Sequence, residues 1–275
     1  MKPLLDNRWG WAGLVVSLLR LTGCSSPAPP AAPPAPAAST RPAGQLFHFS
    51  LLDAFLAGTL DGDYTIGQLR EHGDFGLGAF NHFDGELLAL DGQVYQVRAD
   101  GRAYLASDTL KTPFSFVHFF RADRRLTVRR PLPQAALQHY LNRVLAVENS
   151  LYGLKITGTF ARVRARSNPP IYRRPYPTVA SVIDQQRVFS FDTVSGTFVG
   201  YRLPAFLKGT NIPGYHFHLL TADRQRGGHV LDYTLLNGVI DVDSLSSYSV
   251  RLPGHPDFYR ARLNQDRSQE LKKVE

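Results

Sequence analysis

The 275-residue chain carries 31 Lys and Arg against 23 Asp and Glu, with 43% hydrophobic and 20% charged residues, one cysteine and one methionine. That composition belongs to a globular protein able to bury a sizeable core, in one large domain or two of roughly 100–150 residues. A single cysteine excludes an intrachain disulfide framework and any cysteine-rich zinc or iron–sulfur site. The formal charge of +8 comes from scattered residues, with Arg124-Arg125, Arg129-Arg130 and Arg173-Arg174 lying apart, so no nucleic-acid partner is expected.

In chain order, Lys2 and Arg8 precede an apolar run from Trp9 to Leu19, the length of a signal-peptide core and too short to span a bilayer comfortably. It ends in Leu21-Thr22-Gly23-Cys24, which resembles a bacterial lipoprotein signal, although Asp6 and Arg20 depart from that pattern. The resemblance implies removal of residues 1–23 and lipidation of Cys24. Residues 24–44, almost wholly Pro, Ala and Ser after Cys24, read as an extended tether. The expectation is an exported lipoprotein on the periplasmic or cell-surface side, held to the membrane by its N-terminal lipid alone.

The folded part opens with Ser50 ahead of Leu51, Leu52, Phe55 and Leu56, which predicts a capped helix stopping near Gly58. Thr65 and Gln68 predict a capping box on a second short helix. Asp91-Gly92 and Asp100-Gly101 each signal a hairpin. Residues 133–146 are the clearest helix, with Leu137, Tyr140, Leu141, Val144 and Leu145 on one face. Strands follow from Tyr152 to Phe160, a proline-rich connection spans Pro169 to Pro177, and a short helix is predicted from about Thr178 to Gln185. Val188–Phe191, Gly196–Tyr201, Tyr215–Leu220, His229–Leu235, Val239–Asp243 and Tyr248–Leu252 then read as a mainly antiparallel set. The class is α+β: mixed and antiparallel sheets with a few helices, in two closely packed subdomains, 45–150 and a β-rich 151–275.

Within that β-rich half, His216-Phe217-His218 sits in a predicted strand, so period-two alternation projects both imidazoles from one face. His229 opens the next predicted strand after Gly227-Gly228, and a hairpin would return it to the pair. Three neutral nitrogens converging on one point suit a catalytic metal with a position left open for substrate or water. His72, His82, His118, His139 and His255 have no such arrangement and read as structural.

Several motifs now carry a wider resemblance. Gly73-Asp74-Phe75-Gly76-Leu77-Gly78, Asn81 and Asp84-Gly85-Glu86 resemble the N-terminal signature of bacterial α-acetolactate decarboxylases. Lys111-Thr112-Pro113-Phe114, Gly158-Thr159-Phe160, Arg174-Pro175-Tyr176-Pro177 and Gly196-Thr197 follow in the same order. Ile212-Pro213-Gly214-Tyr215-His216-Phe217-His218, with Asp223 and Gly227-Gly228-His229-Val230-Leu231, is the most specific piece, and the similarity runs from about Leu46 to Phe258. The resemblance implies that His216, His218 and His229 hold Zn2+, that Glu86, Arg166 and a tail glutamate act in catalysis, and that the enzyme is a homodimer. Spacing puts that tail residue at Glu275, with Glu270 as the alternative. Many family members have Thr where Ala79 stands.

The implied reaction converts (S)-α-acetolactate, a small anionic keto-hydroxy acid, to (R)-acetoin and carbon dioxide through a metal-stabilised enediolate. Two other readings stay open at this point: a non-catalytic lipid-anchored module binding small acids, or a zinc lyase or hydrolase for a related keto or hydroxy acid. On residue type alone, Glu86 is an ordinary turn residue, Arg166 part of a solvated strand face and Glu275 a frayed end.

Overall fold

A computed structural model describes residues 44–275; the expected signal segment, Cys24 and all but the last residue of the tether lie outside them. The first half comprises β1 (Gln45–Phe49), α1 (Leu52–Leu56), β2 (Tyr64–Thr65), α2 (Ile66–Arg70), β3 (Phe75–Ala79), β4 (Glu86–Leu90), β5 (Gln93–Val97), β6 (Ala103–Leu105), β7 (Lys111–Thr112), β8 (Phe114–His118), β9 (Arg124–Val128), β10 (Leu132–Pro133) and α3 (Gln134–Val144). The second half adds β11 (Leu151–Ser167), α4 (Val179–Val182), β12 (Arg187–Leu203), β13 (Gly214–Thr221), β14 (Gly227–Leu245), β15 (Ser247–Arg251), α5 (Pro256–Arg260) and α6 (Ser268–Val274). The α+β expectation holds, with antiparallel pairing dominant.

A seven-stranded sheet runs in the order β15-β1-β8-β3-β4-β5-β6, and a six-stranded sheet is built on β10-β14-β11-β12-β13 with β9 beside β14. One face of the first sheet packs Leu46, Leu77, Leu88 and Phe116 against Val199, Tyr201 and Leu203 of the second. Its other face is covered by Ile66 and Leu69 of α2, over Phe47, Leu87 and Val117. The second sheet buries Leu154, Ile156, Phe198 and Phe217 against Leu137 and Leu141 of α3. Each helix is too short to stand alone and is held by this packing.

The local signals act as their chemistry requires. Thr65 and Gln68 form both halves of a capping box on α2. Asp91 and Gly92 take φ of 52° and 76°, the paired positive angles of a two-residue hairpin turn between β4 and β5. Ser50 is a correction. Its φ is 77° and its N–H donates to the Arg251 carbonyl, so it turns the chain while Leu51 occupies the N-cap of α1 without a side-chain cap. Another concerns Tyr248–Leu252: β15 leaves the antiparallel set and pairs parallel with β1, at the edge of the first sheet.

Three strands of the second sheet are unusually long, and a row of glycines lets them bend together. Gly158 pairs with Gly196 on one side and Gly238 on the other. A Cβ on Gly158 would lie 2.2 Å from the Asn237 carbonyl oxygen, a contact only glycine avoids. Beyond that row, irregularities between β11 and β14 shift the register three times, so Arg166 comes to pair with His229.

His48 of β1 is fully buried, with Nδ1 2.5 Å from the Tyr248 hydroxyl. Burial lowers its pKa to about 3. The unfolded chain takes up a proton near pH 6.5 that the native state refuses, so stability falls as pH drops from about 6.5 toward about 3. For this one group the expected loss is about 1.4 kcal/mol per pH unit. Urea unfolding between pH 7 and pH 5 should show a shallower acid slope in His48→Gln than in the wild type; equal slopes would refute the assignment.

Candidate active site

The three histidines meet as the alternation predicts. His216 and His218 project from β13 on one face, while Phe217 enters the core on the other. The hairpin expected between His218 and His229 is present, with the two residues directly paired. Arg166, His229 and His218 therefore form a lateral row across β11, β14 and β13, and side chains in such a row share a face.

One nitrogen from each of the three histidines lies within 4.8 Å of the others, and all three residues are buried. His216 Nε2 stands 3.0 Å from His229 Nδ1. His218 Nδ1 donates to the Leu87 carbonyl at 2.8 Å, which leaves Nε2 with its lone pair facing the cluster. That Nε2 and His216 Nδ1 have no hydrogen-bond partner among the described residues. Burial, reinforced by the Arg166 guanidinium, holds His216 down to about 3. Burial also holds His218 and His229 well below the ordinary imidazole value. Neutral, converging and buried, these rings fit a divalent metal.

The first sheet brings Glu86 to the same place. It opens β4 after a turn in which His82 and Phe83 both take positive φ, and its Oε2 lies 3.5 Å from His218 Nε2. Burial pushes its pKa up to about 7, against the pull of Arg166. Ala79 lies opposite Glu86 on β3 and also lines the pocket, so the departure from the resemblance falls in its wall.

Arg166 is 3% exposed, not part of a solvated face. Its Nη2 lies 3.8 Å from Glu275 Oε1, while Nε and Nη1 have no hydrogen-bond partner among the described residues. Glu275 is carried in by α6, whose Val274 is buried and whose Leu271 packs beside it against the core. Its Oε2 is 3.7 Å from His229 Nε2, and burial of the carboxyl raises its pKa to about 6. Glu270, the alternative, turns away to pair with Arg267 at 2.7 Å. All six pocket residues named from the sequence thus line one cavity, closed by Leu52, Phe55, Phe83, Phe114, Ile212 and Leu271. Sequence reasoning missed Asn168, whose Nδ2 donates to Glu86 Oε1 at 3.1 Å; no local pattern marks it.

Fold and site together define a class: an α+β protein with a buried three-histidine pocket able to hold a metal, flanked by two carboxylates and an arginine and walled by apolar side chains. Residues 46–265 match the alpha-acetolactate decarboxylase family. The alpha-acetolactate decarboxylase of Methanosarcina mazei is 41% identical over 240 residues, 87% of this chain and 83% of that protein. That of Klebsiella aerogenes is 38% identical over 224 residues, covering 82% and 86%. The crystal structure of the Bacillus subtilis alpha-acetolactate decarboxylase superposes with a TM-score of 0.82 at 31% identity, across 84% of this chain and 99% of that one. The chain belongs to the alpha-acetolactate decarboxylase family.

Proposed function

We propose that the chain decarboxylates (S)-α-acetolactate to (R)-acetoin, with zinc held by His216, His218 and His229. The observation that carries this reading is a buried guanidinium with two nitrogens unpartnered among the described residues, set in the same pocket as three neutral imidazoles. Family membership and the small apolar enclosure support it. Bound there, zinc supplies Lewis-acid stabilisation for the negative charge that develops on the substrate's ketone oxygen.

The chain's own residues do the rest. Arg166 receives the substrate carboxylate on its guanidinium, and its fixed charge orients the bond to be broken. As the bond from the carboxylate carbon to C2 breaks, its electron pair moves toward the ketone oxygen and carbon dioxide leaves. The apolar wall of Phe55, Phe83 and Phe114 keeps bulk water from quenching that charge. A proton then adds at C2. Glu86, with its pKa raised to about 7, can hold that proton near neutral pH and deliver it from one side. Glu275 sits opposite, against Arg166 and His229, where it keeps both oriented.

Purified zinc-loaded protein given racemic α-acetolactate should release acetoin and carbon dioxide, stop on chelation and recover with added zinc. No acetoin from fully loaded protein would sink the proposal.

We also propose that Cys24 is lipidated and tethers the enzyme outside the cytoplasm, as a homodimer. Leu21-Thr22-Gly23-Cys24 and the Pro/Ala-rich stretch support the anchor, and the family resemblance supports the dimer. Cells fed a labelled fatty acid should label the wild-type chain and not Cys24→Ser; equal labelling of the two would remove the anchor.

A further inference from the structure

β11 ends in Arg166 and Ser167, and Asn168 follows at once; all three are buried polar residues, exposed by 3%, 0% and 2%. Arg166 enters the pocket. Ser167 Oγ donates at 2.6 Å to the carbonyl of Val97, the residue paired with Glu86 across β4 and β5. Asn168 Nδ2 donates to Glu86 Oε1, which leaves Oε2 as the oxygen facing His218. Pro169 and Pro170 follow at once, and a proline holds the residue before it in extended backbone. Three residues after Asn168, the Ile171 N–H donates to the His82 carbonyl at 2.8 Å, and the Tyr176 hydroxyl meets His82 Nδ1 at 2.6 Å. The chain is therefore fastened on both sides of the Asn168–Glu86 bond, to β5 at Val97 and to the turn leading into Glu86 at His82.

We propose that Asn168 is a positioning residue that sets which way the Glu86 carboxyl faces, occupying Oε1 so that Oε2 is presented to the histidine cluster. A carboxyl on a flexible side chain has several rotamers, and a fixed amide donor selects one of them. The inference rests on the reading that Glu86 acts in the reaction.

The test uses full-length, metal-loaded protein. Asn168→Ala should lower kcat about tenfold while KM moves less than about twofold and zinc content stays the same. In Glu86→Asp the shortened carboxyl is out of Asn168's reach. There the added Asn168→Ala should change kcat less than about twofold. Asn168→Leu, similar in size but lacking the donor, is read in the same way and serves if the alanine variant does not fold. A second measurement needs no turnover. With cobalt(II) in the three-histidine site, Asn168→Ala should shift the visible spectrum in the direction that Glu86→Ala does. An unchanged kcat, losses that multiply in the double variant, or an unchanged cobalt spectrum would each overturn the role of Asn168. Wild-type acetoin release is measured separately and tests only the function on which it rests.

Discussion

Replacing His218 by alanine should remove the metal and reduce kcat by at least about a thousandfold, roughly 4 kcal/mol of transition-state stabilisation. His218 has the least freedom of the three rings. It is 1% exposed, its Nδ1 is anchored on the Leu87 carbonyl and its Nε2 faces both His229 and Glu86. Without it, His216 and His229 offer two nitrogens, one fewer than the three protein ligands of a catalytic zinc site. The Leu87 carbonyl loses its donor and a small cavity opens, yet the surrounding β13–β14 ladder remains paired, so the variant should fold. Metal analysis after dialysis should fall from one zinc per chain to near none, with far-ultraviolet circular dichroism retained. Full zinc occupancy in the variant would refute the ligand assignment.

Replacing Arg166 by alanine should leave the metal in place and lower kcat/KM by about a hundredfold to a thousandfold. Two losses combine. The substrate carboxylate loses a bidentate partner, and Glu86 and Glu275 lose the cation that opposes the effect of burial on each of them. Arg166→Lys should recover little. An ammonium is a point charge and cannot present two N–H groups side by side in the plane of a carboxylate. Steady-state kinetics with metal analysis on the same samples separates this loss from metal loss. Wild-type kcat/KM in the lysine variant would show that only charge at this position matters.

The histidine cluster was legible because its signal is local. Two histidines at period two and a third behind a glycine pair need only one hairpin to converge, and that hairpin formed. The capping box at Thr65 and the Asp91-Gly92 turn were legible for the same reason. Much of the first sheet was not. β3 and β8 are buried on both faces, so Phe75–Ala79 and Phe114–His118 lack the alternation that marks a half-exposed strand. β15 was legible as a strand, but its partner lies some 200 residues away in sequence, and no local pattern announces a parallel pairing. Arg166, Glu86 and Glu275 read individually as surface groups; only the family resemblance singled them out. Their meeting in one pocket follows from bulges in β11 and β14, a turn with positive φ before β4 and the docking of α6, which are properties of the assembled chain.

The hydrogen bond from His218 to Leu87 joins the two sheets through one imidazole ring. A cation on Nε2 draws electron density from that ring and makes Nδ1–H a stronger donor, so the seam between the sheets should tighten when the site is filled. Metal occupancy and sheet docking are then thermodynamically linked. Whatever loosens the seam from afar weakens the grip on the metal, and each filled site returns that free energy to the fold as added resistance to unfolding.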